Sequence, residues 1–174
     1  LYIRKAPGCG IVPLHYGGEQ EQWMRPGTLP IHQIVGFGLA AKLALERMEG
    51  DFLLMQELHK RLWDGLKDIP GIEVNGSVES KYPGILNVSI SGIDGESLTL
   101  MLEPLCVANG SACNSKNNEP SFVLKALGRT DHQAQSAIRF SFNRNTTNEE
   151  IDIAIEKYNA AVRYLRKISP DDLI

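Results

Sequence analysis

The spacing of apolar residues predicts two long helices in the first half of the chain. Apolar side chains recur at helical intervals over residues 31–48 and again over about 52–68. Gly50 and Asp51 stand between these stretches, and Asp51 is a residue type that commonly caps a helix N-terminus. We therefore predict two helices with a break at residues 50–51.

Short alternating segments predict a small sheet in the second half. Leu86, Val88 and Ile90 alternate with Asn87 and Ser89, which is typical of a strand with one apolar face. Further strands are predicted near the start of the chain and in the second half: residues 1–3, 72–74, 84–91, 106–108 and 138–142. Helices are predicted over about 95–104, over 121–127 before Gly128, and after the capping-box pair Thr147 and Glu150.

This order of elements favours an α+β fold with helices on one face of a small sheet for residues 49–174. Residues 1–48 are predicted to be the tail of a different unit whose core lies upstream. We therefore expect the chain to be part of a longer polypeptide.

Composition and charge exclude several classes of protein. The chain of 174 residues has 18 Lys+Arg and 21 Asp+Glu, a net charge of −3, which gives no electrostatic basis for binding nucleic acid. The longest apolar stretch, residues 34–41, is too short to span a membrane. The three cysteines contain no CxxC pair, which argues against a disulfide framework or zinc site and favours a reducing compartment.

Cys113 is the first candidate for chemistry, because small and polar residues surround it at 109–115. A nucleophilic cysteine needs access and a lowered pKa, and Lys116 is the one cationic residue nearby in sequence. An inert loop cysteine fits these residues as well. Cys9 and Cys106 stand in apolar surroundings and are interpreted as structural.

Arg139 and Thr28 are the other candidates. Arg139 alternates with apolar residues on a predicted strand and could present its planar guanidinium to a carboxylate, although an ion-paired surface arginine fits equally. Thr28 ends a Gly-rich loop just before a helix, a place suited to a phosphate group, although many loops end in this way. His59 and Lys60 are interpreted as a solvated pair on the second helix.

Several motifs together closely resemble those of cysteine desulfurases. They are GSAC at 110–113, EPSFVLKALG at 119–128, IRFS at 138–141, MRPGTLPIHQIVG at 24–36 and LRKISP at 165–170. The resemblance implies a homodimeric enzyme of fold type I that depends on pyridoxal 5′-phosphate. It also implies that residues 1–48 end the large cofactor-binding domain, and that 49–174 form the small C-terminal domain with a catalytic loop at about 109–120.

The resemblance implies a role for each candidate. Cys113 would take sulfur from L-cysteine as a persulfide, leave L-alanine, and pass the sulfur to an iron–sulfur scaffold or another acceptor protein. It would also be a ligand of a transient two-iron, two-sulfur cluster shared with that scaffold. Arg139 would bind the substrate carboxylate, and Thr28 would contact the cofactor phosphate of the other subunit.

This chain also departs from the family. The SxHK motif that carries the family's Schiff-base lysine does not occur in it, so we predict that the chain alone is inactive. Glu19 and Trp23 replace glycines that are common in the family. The alternatives are a non-catalytic docking module for a sulfur acceptor and a relative that acts on selenocysteine. We expect a cytoplasmic protein, or a mitochondrial-matrix one in a eukaryote, with no contact to membrane or nucleic acid.

Overall fold

The computed structural model describes residues 2–4, 8, 10–77, 82–109 and 120–168. The chain divides into two compact units, Leu1–Arg47 and Met48–Ile174. The assignment of the first unit to a larger domain remains a prediction. None of the helices in the described part has both the length and the apolar character needed to cross a membrane.

Helix α1 runs without interruption over Ile31–Leu66, so the predicted break at residues 50–51 is wrong. A glycine inside a helix costs only about 1 kcal/mol relative to alanine, and strong helix formers stand on both sides of residues 50–51, so this cost does not end the helix. Asp51 does not cap a helix; its carboxylate pairs with Arg144 at 2.9 Å.

His59 is the second correction in α1. Its side chain is buried, and Nδ1 lies 3.1 Å from the carbonyl oxygen of Pro83. Lys60 is exposed and pairs with Asp64 at 2.5 Å. The two neighbours therefore lie on different sides of the helix, and the predicted solvated pair is wrong for His59.

The remaining elements follow in the second unit. The strands are β1 (Ile72–Val74), β2 (Ile85–Ile90), β3 (Ala108–Asn109) and β4 (Ile138–Ser141), and the helices are α2 (Gly95–Met101), α3 (Phe122–Ala126), α4 (Asp131–Gln135) and α5 (Asn148–Ile168). Residues 2–4 form no strand, contrary to the prediction for that end of the chain. Cys106 is exposed and precedes β3, so it is not part of an apolar strand.

Helix α4 is absent from the predictions, because four of its five residues are polar and show no apolar helical period. Its start is set by a capping box. The Thr130 hydroxyl accepts from the backbone N–H of Gln133, and the Gln133 side chain accepts from the backbone N–H of Thr130. The predicted capping box of Thr147 and Glu150 at α5 is confirmed.

The four strands form one antiparallel sheet in the order β1-β2-β4-β3. Side chains on one face of this sheet pack against the second half of α1, α2 and α5. The sheet and helix residues of this core are Leu58, Leu62, Leu66, Leu86, Val88, Ile90, Leu98, Ile138, Phe140, Ile151, Ala154, Tyr158, Ala161, Val162 and Leu165. This is the predicted α+β arrangement, with helices on one face of a small sheet.

Candidate functional site

The opposite face of the sheet is polar. Alternation along β2 and β4 turns Asn87, Arg139 and Ser141 away from the core that Leu86 and Phe140 enter. The same apolar pattern that builds the core therefore presents a set of hydrogen-bonding groups on the other side. We refer to this set, with Glu73, Asn75 and Ser89, as the polar face.

Arg139 lies near the centre of the polar face. Its Cα pairs with Asn87 on β2 and with Ala108 on β3, so strands flank it on both sides. Its side chain is exposed and makes no hydrogen bond or ion pair with any residue that the structure describes. Within that part of the chain, Arg139 is therefore not an ion-paired surface arginine, and its guanidinium is available to a ligand.

Cys113 lies outside the described residues, as does Cys9. The last described residue before the segment 110–119 is Asn109, whose Cα pairs with Ile138, the neighbour of Arg139 in β4. Cys113 follows Asn109 by four positions in the sequence. The last described residue before the candidate nucleophile is therefore paired in the sheet with the neighbour of Arg139.

Thr28 belongs to the first unit and is exposed. It follows Gly27, whose φ of +101° suits glycine, and the Arg25 side chain donates to the Gly27 carbonyl at 3.3 Å. The first turn of α1, which begins three residues later, contains no acidic residue. A threonine hydroxyl, a nearby cation and a helix N-terminus without opposing carboxylates fit one contact to a phosphate group.

Trp23 has a φ of +65°. Glu21 and Gln22 also have positive φ, at 53° and 56°. This left-handed region favours glycine, and non-glycine residues there carry a conformational cost. The loop before Thr28 therefore has three non-glycine residues with backbone angles that favour glycine.

Arg129 was not identified from the sequence, although it makes several hydrogen bonds to residues of the polar face and to the backbone of β1. Its guanidinium donates to the Asn75 side chain at 2.6 Å, to the Val74 carbonyl at 2.6 Å and to the Glu73 carboxylate. Gln133 adds a hydrogen bond to Glu73 at 3.1 Å. The contacts fix the α3–α4 segment on the edge strand β1.

Local structure at the end of α3 brings Arg129 to this position. Gly128 has a φ of +85°, and its N–H donates to the Lys125 carbonyl at 2.9 Å. The N–H of Arg129 donates to the Leu124 carbonyl at 3.1 Å, which completes a Schellman motif. The predicted helix end at Gly128 is confirmed, and it was the available signal that the next residue leaves the helix.

Two other features limit the chemistry of the described residues. Burial raises the pKa of Tyr158 above its usual value, so this core phenol stays neutral and is not suited to be a base. Among the described residues, no three or more His, Cys, Asp and Glu side chains are grouped so that they could hold a metal ion.

Comparison with known proteins places this chain in a family. The profile described as Aminotransferase class-V matches residues 1–153. The chain belongs to the class-V aminotransferase family, whose members depend on pyridoxal 5′-phosphate. The role of Thr28 as a contact to the phosphate of this cofactor stays a prediction.

Individual relatives show which members of this family the chain resembles. The chain is 48% identical to the cysteine desulfurase IscS of Klebsiella pneumoniae, over 98% of this chain and 42% of the relative. A solved NifS-like protein matches with a TM-score of 0.79 and 31% identity, over 94% of this chain and 42% of the other. A structure of SspA in complex with cysteine matches with a TM-score of 0.58 and 26% identity, over 84% of this chain and 40% of the other. The chain thus spans less than half the length of these proteins.

Proposed function

We propose that this chain is the C-terminal part of an L-cysteine desulfurase. Sequence identity of 48% to a named cysteine desulfurase over nearly the whole chain supports this. The observation that carries the proposal is Arg139, which has no ion-pair partner among the described residues and lies on a polar sheet face. A free guanidinium there suits an amino-acid carboxylate.

Arg139 holds the carboxylate of L-cysteine and so fixes the direction in which the substrate thiol points. Cys113 then accepts the sulfur. An S–S bond forms between the two sulfurs, the substrate C–S bond breaks, and the carbon keeps the electron pair and takes up a proton to give L-alanine. The acceptor sulfur is oxidised as the carbon is reduced, so the step needs no external oxidant.

Pyridoxal 5′-phosphate, when bound, supplies an electron sink for this chemistry. In the homodimer, Thr28 of one subunit contributes one contact to the phosphate of the cofactor in the other subunit. The persulfide on Cys113 is passed to an iron–sulfur scaffold or another acceptor protein. The isolated chain is inactive, because the lysine that would hold the cofactor belongs to another part of the enzyme.

The test is mass spectrometry of the full-length protein after incubation with L-cysteine and pyridoxal 5′-phosphate. We expect one added sulfur atom on Cys113, reversed by reductant and lost in Cys113→Ala. Cys106→Ala is the matched control, since Cys106 is an exposed thiol in the same unit, and this variant should still gain the sulfur. No added sulfur on the wild type, or sulfur that persists in Cys113→Ala, would contradict the proposal.

A second measurement separates the alternatives. The full-length protein should release alanine from L-cysteine, and the isolated chain should not. Release from L-selenocysteine but not from L-cysteine would favour a selenocysteine-specific relative. Scaffold binding without any alanine release would favour a non-catalytic docking module.

A further inference from the structure

Asn87 and Arg139 lie directly opposite one another on the adjacent strands β2 and β4. Residues opposed in this way in an antiparallel pair have Cα atoms about 5 Å apart and side chains on the same face. Asn87 is half-buried, whereas Arg139 is exposed. The two side chains therefore start from opposed positions on the same face of the sheet.

Arg129 determines which way the neighbouring amide of Asn75 points. A guanidinium can donate hydrogen bonds but cannot accept them. The Arg129 Nε lies 2.6 Å from the Asn75 side chain, so the atom facing it must be the Asn75 oxygen. The NH2 group of Asn75 consequently points along the sheet toward β2.

This orientation in turn fixes Asn87. The NH2 group of Asn75 donates to the Asn87 Oδ1 at 2.6 Å and to the Ser89 hydroxyl at 2.7 Å. The oxygen of Asn87 is thus engaged on the β1 side of the strand. Its NH2 group makes no hydrogen bond with any described residue.

Two sets of hydrogen-bond donors thus stand side by side on the polar face without an acceptor from the described part of the chain. One is the NH2 group of Asn87, and the other is the guanidinium of Arg139. The described neighbour of Arg139 on its other side is Ala108, which contributes no polar side-chain atom. A carboxylate with two oxygens would satisfy both donors.

We propose that Asn87 is a second residue that recognises the substrate carboxylate, beside Arg139. This inference rests on the proposed function, since it assumes that Arg139 binds the carboxylate of L-cysteine. Arg139 neutralises the charge, and the Asn87 amide donates to one oxygen and sets the tilt of the carboxylate. Asn75 and Arg129 are positioning residues that keep the Asn87 amide in this orientation.

The test compares Asn87→Asp with Asn87→Ala in the full-length enzyme. Asp keeps an acceptor for Asn75 but replaces the two donors by a negative charge. If Asn87 donates to the substrate, we expect Asn87→Ala to raise the KM for L-cysteine roughly tenfold. Asn87→Asp should raise it further, because its carboxylate repels the substrate and competes for Arg139. If Asn87 were only structural, Asn87→Ala would raise the KM more than Asn87→Asp. That result would overturn the inference.

A binding measurement gives a readout that does not depend on turnover. The dissociation constants of L-alanine and L-alaninamide are measured by calorimetry, because the amide lacks the carboxylate. We expect the preference for L-alanine to fall in Asn87→Asp and, to a smaller extent, in Asn75→Ala. An unchanged preference in Asn87→Asp would overturn the inference.

Gln135→Ala is the matched control, since it removes an exposed amide at the end of α4 without touching Asn87 or Arg139. Its KM should stay within twofold of the wild type. A wild-type enzyme that fails to convert L-cysteine would refute the proposed function. An active wild type with an unchanged KM in Asn87→Asp would refute only the role of Asn87.

Discussion

The two faces of the sheet in the second unit are built from the same strands but differ in burial and polarity. On one face, Leu86, Ile138 and Phe140 are almost fully buried beneath helices. On the other face, Asn87 and Arg139 carry donors with no partner among the described residues. Because side chains alternate along a strand, neighbouring residues such as Arg139 and Phe140 belong to opposite faces. Adjacent positions of one strand can thus place one side chain in the core and leave the next exposed to solvent.

The largest effect on stability is expected from Phe140→Ala. Phe140 is 5% exposed, and its ring centroid lies 5.8 Å from that of Tyr158. Removing a buried aromatic side chain leaves a cavity and costs about 3–5 kcal/mol of unfolding free energy. Urea denaturation of the chain followed by circular dichroism measures this loss. A cost below about 1 kcal/mol would mean that this face is not the main source of stability.

A smaller effect on stability is expected from Arg129→Ala, which tests whether the polar face also contributes to the unfolding free energy. The substitution removes the hydrogen bonds to Asn75 and Val74, both partly buried, and should cost about 1–3 kcal/mol. Arg129→Lys should recover little, because an ammonium group cannot reproduce the fork of a guanidinium. Full recovery by lysine in the same denaturation experiment would contradict the geometry described for this network.

The helix cap at α5 should have a still smaller effect, because it touches neither face of the sheet. Thr147→Ala removes the acceptor for the N–H of Glu150 and should cost about 1 kcal/mol. Thr147→Ser keeps the hydroxyl and should retain most of the stability that Thr147→Ala loses. If Ser and Ala are equally destabilising in thermal denaturation, the cap does not contribute through its hydroxyl.

The smallest effect is expected from the exposed pair of Arg61 on α1 and Asp152 on α5, whose two hydrogen bonds are both 2.7 Å long. The hydrogen bond from Arg61 lowers the pKa of Asp152 below its ordinary value of 3.8. The stabilisation that this ion pair gives to the folded state is therefore present above about pH 4 and is lost as the pH falls through the lowered pKa of Asp152. Melting temperatures of the wild type and Asp152→Asn should differ slightly at pH 7 and converge as the pH falls below the lowered pKa of Asp152. A difference that persists in acid would contradict this.

The sequence was sufficient to predict the core face, because that face depends on local alternation and helical spacing. The strand at 84–91, the capping box at Thr147 and the helix end at Gly128 are all short-range signals, and all three were found. The predicted break at residues 50–51 was wrong because Gly and Asp are unfavourable within a helix by only about 1 kcal/mol each, which the strong helix formers on both sides outweigh. A pair of unfavourable residues therefore does not by itself mark a helix end.

The polar face was predictable only in part. Arg139 was found by its alternation with apolar neighbours, and its role remains a prediction. The partners of Arg129 are 54 to 56 positions away in the sequence. A network of this kind depends on which strands become neighbours, and nothing in the local pattern specifies the order β1-β2-β4-β3.

The most direct test of the separation between the two faces is Arg139→Ala in the full-length enzyme, with kcat/KM for L-cysteine and unfolding free energy measured on the same sample. Arg139 is exposed and has no partner among the described residues, so its loss should change stability by less than about 0.5 kcal/mol. Loss of the carboxylate contact should lower kcat/KM by roughly 100-fold. A variant that keeps its activity, or that loses activity only in proportion to its stability, would contradict the account.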